Sequence, residues 1–382
     1  MKQFVFFIFL LLSLSCKQES AQKSNVTTHV SSPEKKTLIK YADGFQIENH
    51  DGYKLLSITK PYPKAQKTYT YLLVSDKTKL PKKHAAAAVI EIPIQKAIPT
   101  STTHIPAIEL LNELESIIGF PHLDYISSEK TRALIKKGNI KEIGHNDQLN
   151  TEITLALQPD VIIASAMNAG NKSYNTLQKN NIPILYNGEW LETTPLGKAE
   201  WIKVFGALYQ KDSLAQTIFN TIEKNYQDAK QLATTSKNKP SVLSGNLYKD
   251  VWYCPAGNSW QALFFKDANA NYIYADKISE ASLALSIEEI LASGKNADFW
   301  VLPGDFSSYS QLSDASKHYK QLKAFTNKNV FSISLTKGET GGFLYYELGP
   351  SRPDLVLKDF IKIFHPELLP NTPFSFFQPL KK

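Results

Sequence analysis

Asn150-Thr151-Glu152-Ile153-Thr154-Leu155-Ala156-Leu157-Gln158-Pro159-Asp160-Val161-Ile162-Ile163 reads as one small folding unit. A polar residue opens a short helix, a glutamate sits in its first turn, and a turn, an aspartate and an apolar strand follow. The same order returns in Ser286-Ile287-Glu288-Glu289-Ile290-Leu291-Ala292-Ser293-Gly294-Lys295-Asn296-Ala297-Asp298-Phe299-Trp300-Val301-Leu302. Two such units imply two lobes of similar α/β build, each presenting one acidic residue. Two lobes enclose a cleft, and clefts are where ligands bind.

Outward from these units the chain alternates helices and short apolar strands, the pattern of parallel α/β sheets. Before the first unit, Ile108, Leu111, Leu114 and Ile117-Ile118 recur at helical spacing after Ser101-Thr102-Thr103-His104, and Gly119 is expected to end that helix. After it, Ile182-Pro183-Ile184-Leu185-Tyr186 reads as a buried strand. Residues 212–233 carry the strongest helical period, with Leu214, Ala215, Ile218, Phe219, Ile222, Tyr226, Ala229 and Leu232 on one face. At about 1.5 Å per residue this helix extends roughly 33 Å, enough to run from one lobe to the other and limit hinge motion between them. A second strand–helix series follows and ends in a helix from Pro353 to Phe364. The start differs: Phe45, Ile47, Tyr53, Leu55 and Ile58 alternate as strands around Asp51-Gly52, a hairpin signal, and residues 68–75 and 86–94 add further strands. The expected fold class is α/β: two lobes with central, mainly parallel sheets, joined by a single long rigid helix. The expected divisions are 37–205 for the first lobe, 206–237 for the connecting helix, 238–370 for the second lobe and 371–382 for a Pro-rich tail.

The N-terminus reads as a targeting segment. Lys2 precedes Phe4-Val5-Phe6-Phe7-Ile8-Phe9-Leu10-Leu11-Leu12, an apolar run too short for a permanent membrane span, and Ser13-Leu14-Ser15-Cys16 follows. Small residues before a cysteine resemble the lipobox of bacterial lipoproteins. Residues 1–16 would then be a signal peptide, with Cys16 lipidated as the mature N-terminus; the other reading is a plain cleavable signal with Cys16 incidental. Residues 17–36, rich in Ser, Thr, Gln, Asn and Lys, read as a flexible tether.

With 382 residues, 42% apolar and 21% charged, the chain is long enough for two domains and unlike a disordered or coiled-coil protein. The net charge of +7 is scattered. It suits an anionic small ligand or membrane surface, and no basic stripe or motif points to nucleic acid. With Cys16 lipidated, Cys254 stands alone, read as a small buried side chain or, beside an activating histidine, a nucleophile. No Gly-x-Ser-x-Gly elbow, phosphate-binding Gly-x-x-x-x-Gly-Lys, dinucleotide fingerprint or Cys-x-x-Cys is present. No catalytic residue, resident cofactor or metal site is therefore assigned. Gly338-Glu339-Thr340-Gly341-Gly342 is read as a cleft loop.

From about Ile98 to Leu368 the order of motifs resembles the class III periplasmic substrate-binding proteins of ABC importers, which capture cobalamin, ferric siderophores or haem. The resemblance rests on Ile117-Ile118-Gly119-Phe120, Ile143-Gly144, Asn150 to Ile162, Asn181-Ile182-Pro183-Ile184, the second-lobe unit and Leu348-Gly349-Pro350-Ser351-Arg352-Pro353. It implies that Glu152 and Glu288 dock onto arginines of the membrane permease, with Glu289 the alternative if the register shifts by one. On the residues alone, each glutamate could equally serve its own helix dipole. By family position the cleft walls draw on His104, His122, Tyr125, His145, Glu189 and Trp190 in the first lobe. In the second they draw on Trp252, Tyr253, Trp260, Phe343, Tyr345, Tyr346 and Arg352. Aromatic faces suit a corrin, porphyrin or catecholate and an arginine suits anionic groups, while core packing is the alternative for each aromatic. Satisfied or exposed histidines, or ligation of iron or free metal, are both open for His104, His122 and His145. Where cobalamin binders tend to carry a tryptophan, this chain has Gly144-His145-Asn146-Asp147.

The resemblance implies a monomeric receptor, lipid-anchored to a bacterial membrane in the periplasm, that passes a bulky ferric siderophore, cobalamin or haem to a permease. The rivals are a zinc or manganese receptor and, from another class, a periplasmic hydrolase.

Overall fold

A computed structural model describes residues 35–76 and 87–382; Cys16, the signal peptide and the tether through residue 34 lie outside the described residues. The two capped units each place a strand at the middle of a parallel sheet. In the first lobe the order is Ile184–Tyr186, Val161–Ala164, Ala97–Pro99, with Ile162 opposite both Ile184 and Ile98. Every residue of Val161–Ala164 is buried, as expected for a strand covered by helices on both faces. In the second lobe the order is Asn271–Tyr272, Ser241–Ser244, Phe299–Val301, Val330–Ser332, Gln378–Pro379, parallel except for the last strand.

The aspartate in each unit has a structural duty that explains its place before the strand. Asp160 accepts the backbone N–H of Gln95 and Lys96 (2.7 and 2.8 Å) and its own N–H donates to Lys96 O. Asp298 accepts the N–H and hydroxyl of Ser241 (2.9 and 2.7 Å) and donates its N–H to Ser241 O. Each carboxylate thus fixes the start of the neighbouring parallel strand, where ladder hydrogen bonds have not yet begun.

The lobes are joined by helix Asp212–Ala233, which buries Ala215, Phe219, Ile222, Tyr226, Ala229 and Ala233. Those positions step by three and four, so one stripe faces helices Ile202–Leu208 and Pro353–Phe364. Gly206 permits the close crossing: a Cβ there would lie 2.5 Å from Ala215 Cβ.

The opening strands form a separate five-stranded sheet, and Phe45–His50 and Tyr53–Ile58 turn through Asp51-Gly52 with Gly52 at φ 84°. This sheet is stitched to the first lobe. Glu200 accepts the backbone N–H of Lys40, Tyr41 and Ala42. The Tyr71 hydroxyl donates to Ile184 O and accepts from Tyr186 N, both at 3.0 Å.

Three boundaries depart from expectation. The first helix spans only Ile105–Leu110: Asn112 turns left-handed (φ 57°), and Gly119 belongs to a short strand, Gly119–Phe120, instead of ending a helix. Gly206 lies in the preceding helix Ile202–Leu208, with Gln210 left-handed (φ 54°) between the two, so the connecting helix is shorter than 206–237. Residues 371–382 are no tail. Phe376 and Phe377 are fully buried, Gln378–Pro379 pairs with Val330–Ser332, and Asp359 accepts the N–H of Ser375, Phe376 and Phe377. Burial pushes the Asp359 carboxyl up to about 6.

Candidate functional site: the groove between the lobes

The strands of both lobes end at one groove. Thr100 follows Ala97–Pro99, Ser165 follows Val161–Ala164, and Ser244 and Leu302 close their strands on the opposite wall. This is where open α/β sheets place ligands. Three depressions of about 720, 520 and 580 Å³ adjoin one another: the first two share His122 and Asn146, the last two share Tyr346.

Two loops build the first-lobe wall. His122 is left-handed (φ 56°), an uncommon conformation held by Glu142, whose two oxygens accept the backbone N–H of His122 and Leu123 (2.8 and 2.9 Å). His145 sits in the short strand Gly144–His145, opposite Gln148 of Gln148–Leu149. The rings meet with centroids 4.0 Å apart, His145 Nδ1 facing His122 Nε2, and the half-exposed Tyr125 ring lies 4.9 Å from His122. Opposite, Tyr253, Trp260 and Tyr346 of the second lobe line the groove together with Trp190 of the first, and Lys198 lies 5.2 Å over the Trp260 ring. Burial lowers the Lys198 pKa, with Glu189 and Glu192 opposing that shift.

Four of the expected ligand residues are placed elsewhere. His104 is buried against Phe205, and burial lowers its pKa to about 3, so it is a neutral core imidazole. Trp252 is fully buried, its Nε1 donating to Ser244 O beside Trp300. Tyr345 is buried among Trp260, Phe376 and Phe377. Arg352 makes a two-pronged pair with Asp354 (2.9 and 2.8 Å) and lines a different depression, beside Glu109 and Leu348. Glu189 is also buried, accepting from the Thr103 hydroxyl (2.6 Å). Cys254 is buried with its pKa raised, the signature of an inert thiol.

The glycine-rich loop does line the groove, through Thr340 to Phe343, and it also binds the lobes together. A Cβ on Gly338 would lie 2.6 Å from Ser127 Cα, and one on Gly342 2.6 Å from Tyr125 O. Beside it, Glu347 accepts the N–H of Ser127 and Ser128 across the lobe boundary (2.6 and 2.8 Å). Burial, with Glu109 adding to it, pushes this carboxyl up to about 7 despite the two donors. Groove residues that sequence reasoning missed are polar, notably Asn146, which accepts from Tyr174 (3.0 Å) and donates to Ser165 O (3.2 Å). Its neighbour Gly144 (φ 88°) marked the turn that carries it.

Glu152 and Glu288 are both exposed, and neither has a hydrogen bond or ion pair among the described residues. Their helices are capped as expected, Asn150 Oδ1 accepting from Ile153 N and Ser286 Oγ from Glu289 N. Glu289 is engaged in a capping box with Ser286 and lies 3.6 Å from Lys277, which leaves Glu288 as the unpartnered member. Each free glutamate follows a groove-lining segment by a few residues, Gln148 before Glu152 and Ser282 before Glu288.

Residues 100–334 match the family described as periplasmic binding protein. An uncharacterized lipoprotein of Methanocaldococcus jannaschii is 28% identical over 300 residues, which is 76% of this chain and 69% of that protein. A possible iron-binding, periplasmic solute-binding protein from Staphylococcus epidermidis superposes with TM-score 0.57 at 16% identity, covering 72% of this chain and 99% of that one. A periplasmic vitamin B12-binding protein of Vibrio cholerae superposes with TM-score 0.51 at 15% identity, covering 71% and 97%. More than half of the length, including both capped units and most of the groove, lies inside the family match, and the chain belongs to the periplasmic binding protein family.

Proposed function

We propose that this protein is a lipid-anchored receptor that captures a bulky metal chelate or tetrapyrrole, of the iron-siderophore or cobalamin kind, and delivers it to an ABC permease through Glu152 and Glu288. The observation that carries the reading is the pair of matching helix starts: two exposed carboxylates, unpartnered among the described residues, one on each lobe, each a few residues along the chain from a groove-lining segment. Separated carboxylates meeting guanidiniums give strong, orienting contacts with a two-sided partner. The groove suits the cargo in size and in its aromatic faces, Trp190, Tyr253, Trp260 and Tyr346. Binding and release, without catalysis, is the activity proposed. Lipidation at Cys16, a periplasmic site and a monomeric state complete the proposal; the M. jannaschii relative's description as a lipoprotein supports the anchor.

Among the described residues no group of three or more His, Cys, Asp or Glu could hold a metal ion, which weighs against a bare zinc or manganese receptor. A thermal-shift panel of haemin, cyanocobalamin and ferric siderophores tests the ligand class, because specific binding raises apparent stability by mass action. At least one should raise the midpoint by several degrees; a flat response across the panel, with zinc or manganese stabilising instead, would overturn the proposal.

A further inference from the structure

We infer that a second cavity, at the lobe boundary and apart from the groove, binds a small zwitterion with an apolar body, the chemistry of a free amino acid or short peptide. Its ammonium would sit beside Glu109 and Glu347 and its carboxylate at Arg132. The cavity shares no lining residue with the groove depressions, so the inference stands independently of the receptor reading.

At about 940 Å³ this cavity is larger than any of the three groove depressions. The first lobe contributes Glu109, Leu110 and Arg132 to its lining, and the second contributes Leu344, Glu347 and Leu348. Two of these are buried charges that the protein leaves unmatched. Glu347 is 2% exposed, and among the described residues its carboxylate accepts from the backbone N–H of Ser127 and Ser128 and meets no lysine or arginine. Burial, and after it the like charge of Glu109, raises its pKa to about 7. Arg132 is 9% exposed; its Nη1 donates to Leu123 O (2.7 Å), while its Nε is buried with no acceptor among the described residues. The carboxylate within reach of it, Asp124, is 3.9 Å away and itself exposed. Buried ionic groups cost free energy unless a partner offsets them. Arg132 and Glu347 border one cavity, yet they form no pair with each other.

These two unmatched charges fix the chemistry of the ligand. An anion alone would answer Arg132 and be repelled by Glu109 and Glu347; a cation alone would meet the reverse. A molecule with both charges answers each with its opposite, through charge-assisted hydrogen bonds. The other cations of the cavity already serve carboxylates: Lys136 pairs with Glu339 (2.7 Å), Lys337 with Asp305 (2.8 Å) and Arg352 with Asp354 (2.8 Å). Lys130 reaches Glu109 (3.1 Å) from a side chain that is 74% exposed, a pair weak enough for an incoming ammonium to displace. Leu110, Leu344 and Leu348 give the apolar body a surface to cover. With Glu109 and Arg132 on one lobe and Glu347 on the other, the bound molecule would tie the lobes together at a second place.

Purified protein is titrated by calorimetry with L-leucine and leucyl-leucine, and with leucinamide and N-acetylleucine, which lack the anionic and the cationic end respectively. At least one of the two zwitterions should bind about tenfold tighter or more than both blocked compounds, and the tighter of the two tells whether an amino acid or a peptide fits. Glu109→Gln, whose amide oxygen can still accept from the Ser128 hydroxyl, should weaken that binding about tenfold and remove its advantage over N-acetylleucine. Leu110→Trp, which fills the cavity, should abolish it while leaving the response to haemin, cyanocobalamin and ferric siderophores as it is in the unaltered protein. No binding of either zwitterion, equal affinity for a blocked compound, or full affinity in both variants would overturn the inference. Loss of zwitterion binding when a ligand from that panel occupies the groove would place the molecule there and overturn it as well. The receptor reading has its own test in the panel and survives any of these results.

Discussion

The two capped units are alike where they serve the fold and where they face solvent, and unlike in how the helix between is closed. Both carry an aspartate that exchanges hydrogen bonds with the start of the neighbouring strand, and both expose one glutamate in the first turn. The first helix is capped by Asn150 alone and ends in left-handed Gln158 (φ 48°) before Pro159. The second has a reciprocal capping box and ends at Gly294 without a left-handed turn. Helix termini thus admit several chemical solutions, whereas the strand clip and the solvent-facing carboxylate recur. The difference also separates adjacent glutamates in the second unit: Glu289 belongs to its helix, Glu288 to whatever approaches from outside.

Breaking the shared carboxylates should have the largest effect. Glu152→Ala with Glu288→Ala is expected to abolish ligand uptake in cells while affinity measured on purified protein stays unchanged; weakened affinity would assign the two residues to the groove instead. The strand clips come next. Asp298→Ala should cost about 2 kcal/mol in urea unfolding and Asp160→Ala about 1 kcal/mol, because Asp298 also pairs with Lys323 (2.7 Å) and serves the Ser241 hydroxyl as well as its N–H. The reverse order would mean that the clip matters more at the shorter sheet.

Stability responds to pH through two second-lobe carboxyls, Glu347 at the lobe boundary and Asp359 under the last strand. Glu347 and Asp359 have folded pKa values raised to about 7 and about 6. A raised carboxyl contributes stability that is fully present below its unfolded pKa and is lost as pH rises through the folded value. Unfolding free energy should therefore fall between about pH 4 and about pH 7, with Glu347 responsible for on the order of 1–3 kcal/mol of the change. Glu347→Gln should flatten that slope in denaturant titrations at several pH values, and an unaltered slope would remove Glu347 from the account. Smallest are the caps: Asn150→Ala and Ser286→Ala should each cost about 1 kcal/mol, and Glu289→Ala a few tenths. Equal losses at Ser286 and Glu289 would show that the reciprocal half of the box matters as much as the cap.

Much of this architecture was legible in the sequence because it is local. The capped units, the Asp51-Gly52 hairpin and the three-and-four stripe on the long helix each follow from neighbours a few positions apart. The groove was less legible, because the direction of an aromatic ring is a property of the packed lobe. Trp252 and Tyr345 are aromatic like Tyr253 and Tyr346, one position away, and only the alternation of burial separates core from wall. Arg352 is neutralised by Asp354 two residues on, a pairing that residue type alone does not announce. Phe376 and Phe377 lie in a stretch that prolines made look like a tail, yet a buried Asp359 gathers their N–H groups into the last strand.

The Tyr71 hydroxyl bears on a matter apart from ligand capture. Ile184–Tyr186 is the outermost strand of the first lobe's parallel sheet, and Ile184 O and Tyr186 N are the groups it would offer to an incoming strand from another molecule. One phenol, acting as donor to the first and acceptor from the second, uses up both. The added N-terminal sheet thereby finishes an edge that would otherwise be a template for self-association.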